Sequence, residues 1–140
     1  LIVPDTSVLV SGFTADHPFY AVAEPALIEV REEGGLAAHT MAEAYSVLSA
    51  PGGVYRAEPE LVLEYLKELL GDSPPIQPGA ASYMEALKDL ARHGRGGAPV
   101  FDALIALAAR DADATLLSLD RRAKPIYELC GVEFRFLDEG

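Results

Sequence analysis

Short apolar runs suited to strands alternate with longer stretches of helical periodicity along almost the whole chain, and that alternation admits few folds. Leu1-Ile2-Val3 is the first run, stopped by Pro4, and Asp5-Thr6-Ser7 offers turn and N-cap chemistry before Val8-Leu9-Val10. Helix formers fill residues 19–31, where Pro25 predicts a kink or the start of a second helix, and Glu32-Glu33-Gly34-Gly35 supplies the stop. Leu36-Ala37-Ala38 is the next apolar run, ahead of a helix over about 41–49. After Pro51-Gly52-Gly53, the spacing of Leu61, Leu63, Tyr65, Leu66, Leu69 and Leu70 predicts an amphipathic helix beginning near Pro59. Pro74-Pro75-Ile76 frames a very short edge strand, and a helix over about 80–92 runs out into Gly94-Arg95-Gly96-Gly97. Phe101, Leu104, Ile105 and Ala108 then mark one helix face, 115–119 reads as a buried strand, 121–129 as a short helix and 132–137 as a last strand. Strands alternating with helices in this way predict an α/β sandwich around a mostly parallel sheet.

The chain has 140 residues, half of them hydrophobic and 24% charged. A single domain over 1–140, burying roughly two-thirds of its unfolded surface, is the expectation. Its longest apolar runs, such as Leu104 to Ala109, fall far short of the ~18 residues of a spanning helix, which argues against an integral membrane protein. The start shows no basic region, no long apolar stretch and no Met, so no export signal is visible and the chain reads as lacking a residue or more there. Cys130 is the sole cysteine, which excludes an internal disulfide and a cysteine-based zinc cluster and fits a reducing cytoplasm; it reads as a small buried hydrophobe. With 22 acids against 11 bases the net charge is −11, a field that repels nucleic acid unless a cation or a local basic concentration intervenes.

In an open parallel sheet the ligand site lies at the carboxyl ends of the strands, and that rule selects among the acids. Asp5 directly follows the first strand, Glu43 lies in the first turn of the helix after the second, and Asp120 follows the strand ending near Leu119. Asp102 joins them from the helix beginning near Pro99, among the apolar neighbours Ala98, Pro99, Ile105 and Ala106. Each acid has an ordinary alternative explanation. Asp5 and Asp120 can be helix caps, Thr40-Met41-Ala42-Glu43 matches a capping box, and Asp102 can complement a helix dipole. Their coincidence at strand ends favours a shared site, in which four repelling carboxylates call for a cation. Oxygen ligands without Cys or His at ligand spacing suit Mg²⁺ or Mn²⁺.

The segments that carry these acids resemble the successive motifs of the PIN domain. They are Leu1-Ile2-Val3-Pro4-Asp5-Thr6-Ser7-Val8-Leu9, Thr40-Met41-Ala42-Glu43, Gly96-Gly97-Ala98-Pro99-Val100-Phe101-Asp102-Ala103-Leu104-Ile105-Ala106 and Leu116-Leu117-Ser118-Leu119-Asp120-Arg121-Arg122. The likeness covers essentially the whole chain and is greatest to the VapC toxins of bacterial VapBC toxin-antitoxin modules. It implies a PIN-like three-layer α/β/α sandwich and a Mg²⁺- or Mn²⁺-dependent endoribonuclease, with Asp5, Glu43, Asp102 and Asp120 as catalytic and metal-binding acids. Thr6, Ser7 and Ser118 stand where the family places supporting hydroxyls. The weak strand region around Ile76 departs from the pattern at the sheet edge.

A divalent ion held by such acids can activate water against a P–O bond, which predicts 5′-phosphate and 3′-hydroxyl ends. Arg92, Arg95, Arg121 and Arg122, with Lys124, are the basic concentrations near Asp102 and Asp120 in sequence and are candidates for positioning RNA. His17, His39 and His93 show no spacing that pairs them for acid-base work. Tyr45, Val47 and Leu48, with Leu61, Tyr65 and Leu69, read as core residues by default. The resemblance adds a homodimer, and a VapB-like antitoxin laid along a groove, as uses for part of that surface. Two rivals stand beside the nuclease: a PIN-like RNA- or protein-binding domain without catalysis, and a receiver-type Mg²⁺-dependent phosphoacceptor. The receiver lacks here its paired acids after the first strand and a lysine after a late one.

Overall fold

The computed structural model describes residues 1–138. Three parallel strands, β1 (Ile2–Pro4), β2 (Thr115–Ser118) and β3 (Phe134–Phe136), lie in that order. Seven α-helices surround them among the described residues: α1 (Thr6–Ser11), α2 (Tyr20–Glu33), α3 (Ala38–Ser49), α4 (Pro59–Leu70), α5 (Ala80–Arg92), α6 (Pro99–Asp111) and α7 (Lys124–Cys130). Side chains alternate across a strand, so neighbouring residues of β1 and β2 feed opposite cores. Val3 and its register partner Leu116 pack with Ala86, Leu90, Ile105, Leu107, Ile126 and Tyr127 from α5, α6 and α7. Leu117 packs with Leu9, Leu27, Leu48, Val62 and Leu66 from α1 to α4. The result is the α/β sandwich around a parallel sheet that the sequence pattern predicts, in the three-layer α/β/α form that the resemblance implies.

Several expectations need correction. First, Leu36-Ala37-Ala38 and Pro74-Pro75-Ile76 do not form strands. They meet in one parallel bridge, Ala37 with Ile76, because Ala38 already begins α3, and a separate bridge joins Ile2 to Gly34 just before the first run. A Cβ at Gly34 would collide with the Ile2 carbonyl and the Val30 backbone, so glycine permits this close approach at the sheet edge. Second, α2 runs unbroken through Pro25. Pro25 is exposed, which leaves the Ala21 carbonyl it deprives of a partner near water, while Ala23, Ala26, Leu27 and Val30 hold the opposite face to the core.

Third, Thr40-Met41-Ala42-Glu43 is not a capping box. Ala37 is the N-cap residue of α3 and makes no side-chain cap, Thr40 is fully buried inside the helix, and Glu43 lies in its second turn. The expected helix over 121–129 divides into a 3₁₀ turn (Arg121–Ala123) and α7, and the last strand is confined to Phe134–Phe136. Among the described residues no helix is long and apolar enough to cross a membrane.

Candidate active site

The carboxyl ends of β1 and β2 both face one small cleft. Pro4 ends β1 without an N–H, and the next residue completes the ladder: the Asp5 N–H donates to the Leu117 carbonyl at 2.8 Å. This fixes the Asp5 backbone, and its side chain caps α1 by accepting from the Val8 N–H at 3.3 Å. Asp5 is only 2% exposed. Burial raises its pKa, while hydrogen bonds from Ser118, Ser7, Tyr127 and the Val8 N–H work against that rise.

Those donors form a scaffold. The Ser7 hydroxyl donates to Asp5 Oδ1 and accepts from the Leu119 N–H at 2.9 Å, tying α1 to the end of β2. Ser118 Oγ accepts from the Asp120 N–H at 3.0 Å. Tyr127 Oη donates to Asp5 Oδ2 at 2.7 Å. Asp5 and Asp120 both act as caps and both line the same cleft, since Asp120 also accepts from the Arg122 N–H at 3.1 Å and starts the 3₁₀ turn.

Asp5, Thr6, Ser7, Glu43, Asp102, Asp120 and Tyr127 line the cleft, whose volume is about 50 Å³. Four sequence-distant carboxylates are thus brought together. Asp102 records the cost. Its pKa is pushed up to about 6, first by burial and then by the charges of Glu43, Asp120 and Asp5, with Arg122 partly opposing. Asp120 and Glu43 keep about a third of their side-chain surface exposed and open the cleft to solvent.

Among the described residues, no three His, Cys, Asp or Glu side chains stand close enough together, as they are oriented here, to hold a metal ion. Both Asp5 oxygens are taken by protein donors, so the acids form an open cradle. The donor set nevertheless fits a hard divalent cation. Its oxygens are carboxylates and hydroxyls, and the mutual repulsion that raises Asp102 is relieved by positive charge. Thr6 Oγ1 lies buried at this cleft without a hydrogen-bond partner.

The arginines separate. Arg122 reaches the acids, with Nε 3.3 Å from Asp120 Oδ1. Arg121 instead meets Asp138 at 2.8 Å and lies over the Phe136 ring. Arg92 pairs with Asp89 on its own helix, and Arg95 lines a separate cavity beside Leu87 and Val100.

Two site neighbours escape the sequence reading. Tyr127 carried no motif, although its place seven residues after Asp120 on the next helix was a usable signal, because a buried tyrosine hydroxyl needs a partner. His39 has no histidine partner but does have Glu43, 3.8 Å away, and its ring stacks on Phe101 with 9° between the planes.

A short parallel sheet between two helical layers, with four acids gathered at its carboxyl edge, defines the class. The chain belongs to the PIN-domain family, whose model matches residues 2–129. That membership sets aside the receiver-type reading. The chain is 38% identical to ribonuclease VapC40 of Mycobacterium tuberculosis over 133 residues, covering 95% of this chain and 96% of that protein. Among solved structures it resembles VapC20 of Mycobacterium tuberculosis, a toxin that cleaves the sarcin-ricin loop, with TM-score 0.69 and 15% identity over 89% of this chain and 94% of that one. It also resembles VapBC2 of Rickettsia felis bound to a promoter DNA fragment, with TM-score 0.67 and 20% identity over 98% of each chain.

Proposed function

We propose that this chain, as one domain over 1–140, is a divalent-metal-dependent endoribonuclease and the toxin of a type II toxin-antitoxin module, acting in the cytoplasm. The observation that carries the reading is the meeting of Asp5, Glu43, Asp102 and Asp120 in one cleft at the carboxyl end of a parallel sheet. Similarity to ribonuclease VapC40 over nearly both full lengths supports the substrate class. The likeness to a VapBC structure supports an antitoxin partner.

Asp5, Glu43, Asp102 and Asp120 would hold Mg²⁺ or Mn²⁺, which would supply an activated water and offset charge at the scissile phosphate. Glu43, Asp102 and Asp120 present the accessible carboxylates, and Asp5 completes the set from beneath. Ser7, Ser118 and Tyr127 hold the Asp5 carboxylate against rotation. Thr6 contributes an uncommitted hydroxyl. Arg122 is placed to meet a phosphate of the bound strand, whereas Arg92, Arg95 and Arg121 would act only at a distance from the cleft. Attack by water, with the ribose 2′-hydroxyl uninvolved, leaves a 5′-phosphate and a 3′-hydroxyl.

Surface for partners is present outside the site. On α3 and α4, Tyr45, Val47 and Leu61 are between 42% and 60% exposed, while Leu48 and Leu69 belong to the core and Tyr65 donates to the Leu9 carbonyl at 2.6 Å. Tyr83, Met84 and Leu87 form a second apolar patch on α5. These two faces are the places for an antitoxin helix and a second copy of the chain, and the −11 charge suits a basic antitoxin segment.

The test is cleavage of labelled total and transfer RNA with Mg²⁺ or Mn²⁺, with chelator, and with Asp5→Asn, reading the product ends. Chelator-sensitive cutting that Asp5→Asn loses and that leaves 5′-phosphates is the expected result. A 2′,3′-cyclic phosphate overturns the mechanism. Metal-bound, folded protein that cuts no better than Asp5→Asn overturns catalysis in favour of a binding domain.

A further inference from the structure

The acid cleft opens into a second cavity of about 390 Å³, which shares Thr6, Ser7, Glu43 and Asp120 with it. That volume falls within the roughly 300–1,000 Å³ of small-ligand clefts. The rest of its lining differs from the acids: it includes the apolar Val10, the rings of His17 and Phe19, and Arg122. Phe19 is 43% exposed at the N-cap position of α2, so an aromatic face borders a charged, open cleft.

The turn that carries these rings is built. The Phe19 N–H donates to His17 Nδ1 at 3.1 Å, and the His17 ring packs against Tyr55 with centroids 5.0 Å apart. The His17 N–H donates to the Thr14 carbonyl at 3.0 Å, and the His17 carbonyl accepts from the Tyr20 N–H at 3.1 Å. Because Nδ1 accepts, the neutral imidazole carries its proton on Nε2 and has a donor left. A hydrophobic face, a ring N–H donor and an exposed guanidinium beside a phosphodiester site together match the parts of a nucleotide: a π face, ring acceptors and a phosphate.

We propose that this cavity is a subsite for one unpaired nucleobase of the RNA strand whose phosphate enters the acid cleft. Phe19 is its stacking surface, His17 Nε2–H a donor to the base edge, and Arg122 a contact for the neighbouring phosphate. The proposal rests on the ribonuclease reading above. A base inside a duplex has both faces covered and cannot stack here, so the subsite selects loops, bulges and ends. The acids around it also repel the phosphates of a second strand.

The chain contains no tryptophan, so Phe19→Trp places a single fluorescent reporter in the cavity. In an Asp5→Asn background, where turnover is stopped and the cavity lining is otherwise unchanged, the probe is a six-nucleotide single-stranded RNA of mixed sequence in MgCl₂, beside the same sequence as a duplex. Saturable quenching by the single strand and none by the duplex is expected. In the otherwise native chain, Phe19→Ala raises KM about ten-fold with kcat nearly unchanged, Phe19→Trp restores KM, and Asp72→Asn, at an exposed position outside the cleft and both apolar faces, has no effect. RNA that native protein cleaves but that leaves the indole reporter unquenched overturns the subsite and leaves the ribonuclease standing. Failure of the native protein to cleave, with the reporter still quenched by the single strand, overturns the ribonuclease and keeps the base site. A signal that answers to a basic peptide and not to RNA makes the cavity a protein contact, and the proposal falls.

Discussion

Helix α6 carries one aspartate in its first turn and another at its last residue, and the two meet opposite surroundings. Asp111 accepts from Ser82 Oγ at 2.7 Å and from the Gly79 N–H at 3.1 Å, and pairs with Arg110 at 3.2 Å. Arg110 in turn grips Glu85 with both terminal nitrogens at 3.2 Å and donates to the Cys130 carbonyl, so this cluster ties α5, α6 and α7 together. Burial pushes the Asp111 pKa up, but Ser82, Gly79 and Arg110 outweigh it and leave it below the ordinary value. Asp102, nine residues earlier, faces three other carboxylates and rises to about 6. The helix macrodipole, worth roughly 0.3–1 kcal/mol, favours the opposite order at both ends, so local partners decide. One acid is neutralised by the protein and serves the fold. The other has only Arg122 to oppose its neighbours' charge, which is why the proposed cation is assigned there.

The largest expected consequence is catalytic. Asp5→Asn or Asp102→Asn should lower kcat/KM for RNA cleavage by at least about 10³-fold, whereas Asp111→Asn should leave it within about two-fold, measured on one labelled RNA. Equal losses at Asp102 and Asp111 would erase the distinction. Next comes Tyr127→Phe, which removes one donor from a buried carboxylate and keeps the packing. It should cost about ten-fold in kcat and about 1–2 kcal/mol in denaturant stability. A variant with native kcat would remove Tyr127 from the positioning scaffold.

The third effect is on metal-free stability. Asp102 titrates at about 6 in the fold against an ordinary 3.8. Between those values the folded chain holds more protons than the unfolded chain, so stability falls as pH rises through that window and stays low above it. Metal-free Asp102→Asn should accordingly melt a few degrees higher than the native chain at about pH 8, and Mg²⁺ should raise the native Tm there and not at about pH 5. The smallest effect belongs to Asp111→Ala, which lies at the molecular surface and should lose at most about 1 kcal/mol while Mg²⁺ still stabilises it fully.

Much of this was legible before the structure because it depends on residue type at a strand end. Asp5, Asp102 and Asp120 follow or face recognisable β-compatible runs, and parallel topology brings such positions together whatever the side chains between them. The expected strands at Leu36 and Ile76 failed for a local reason: a helix beginning at Ala38 leaves room for one bridge and no ladder. Thr40-Met41-Ala42-Glu43 matched a capping signature by composition, yet the helix had started two residues before Thr40. The separation of Arg122 from Arg121 was not legible, and Tyr127 left only the signal of a tyrosine on the helix after Asp120, not the acid it would meet. Both depend on how the turn after β2 orients adjacent side chains, and spacing in one dimension does not encode that.

The most direct test of the contrast between the two ends of α6 is calorimetric titration of Mn²⁺ into the native chain, Asp102→Asn and Asp111→Asn near pH 7.5. The account predicts saturable binding to the native chain, retention of that affinity in Asp111→Asn, and loss of at least about ten-fold in Asp102→Asn. Undiminished Mn²⁺ binding by Asp102→Asn would contradict it, because the acid cleft would then not be where the cation is held.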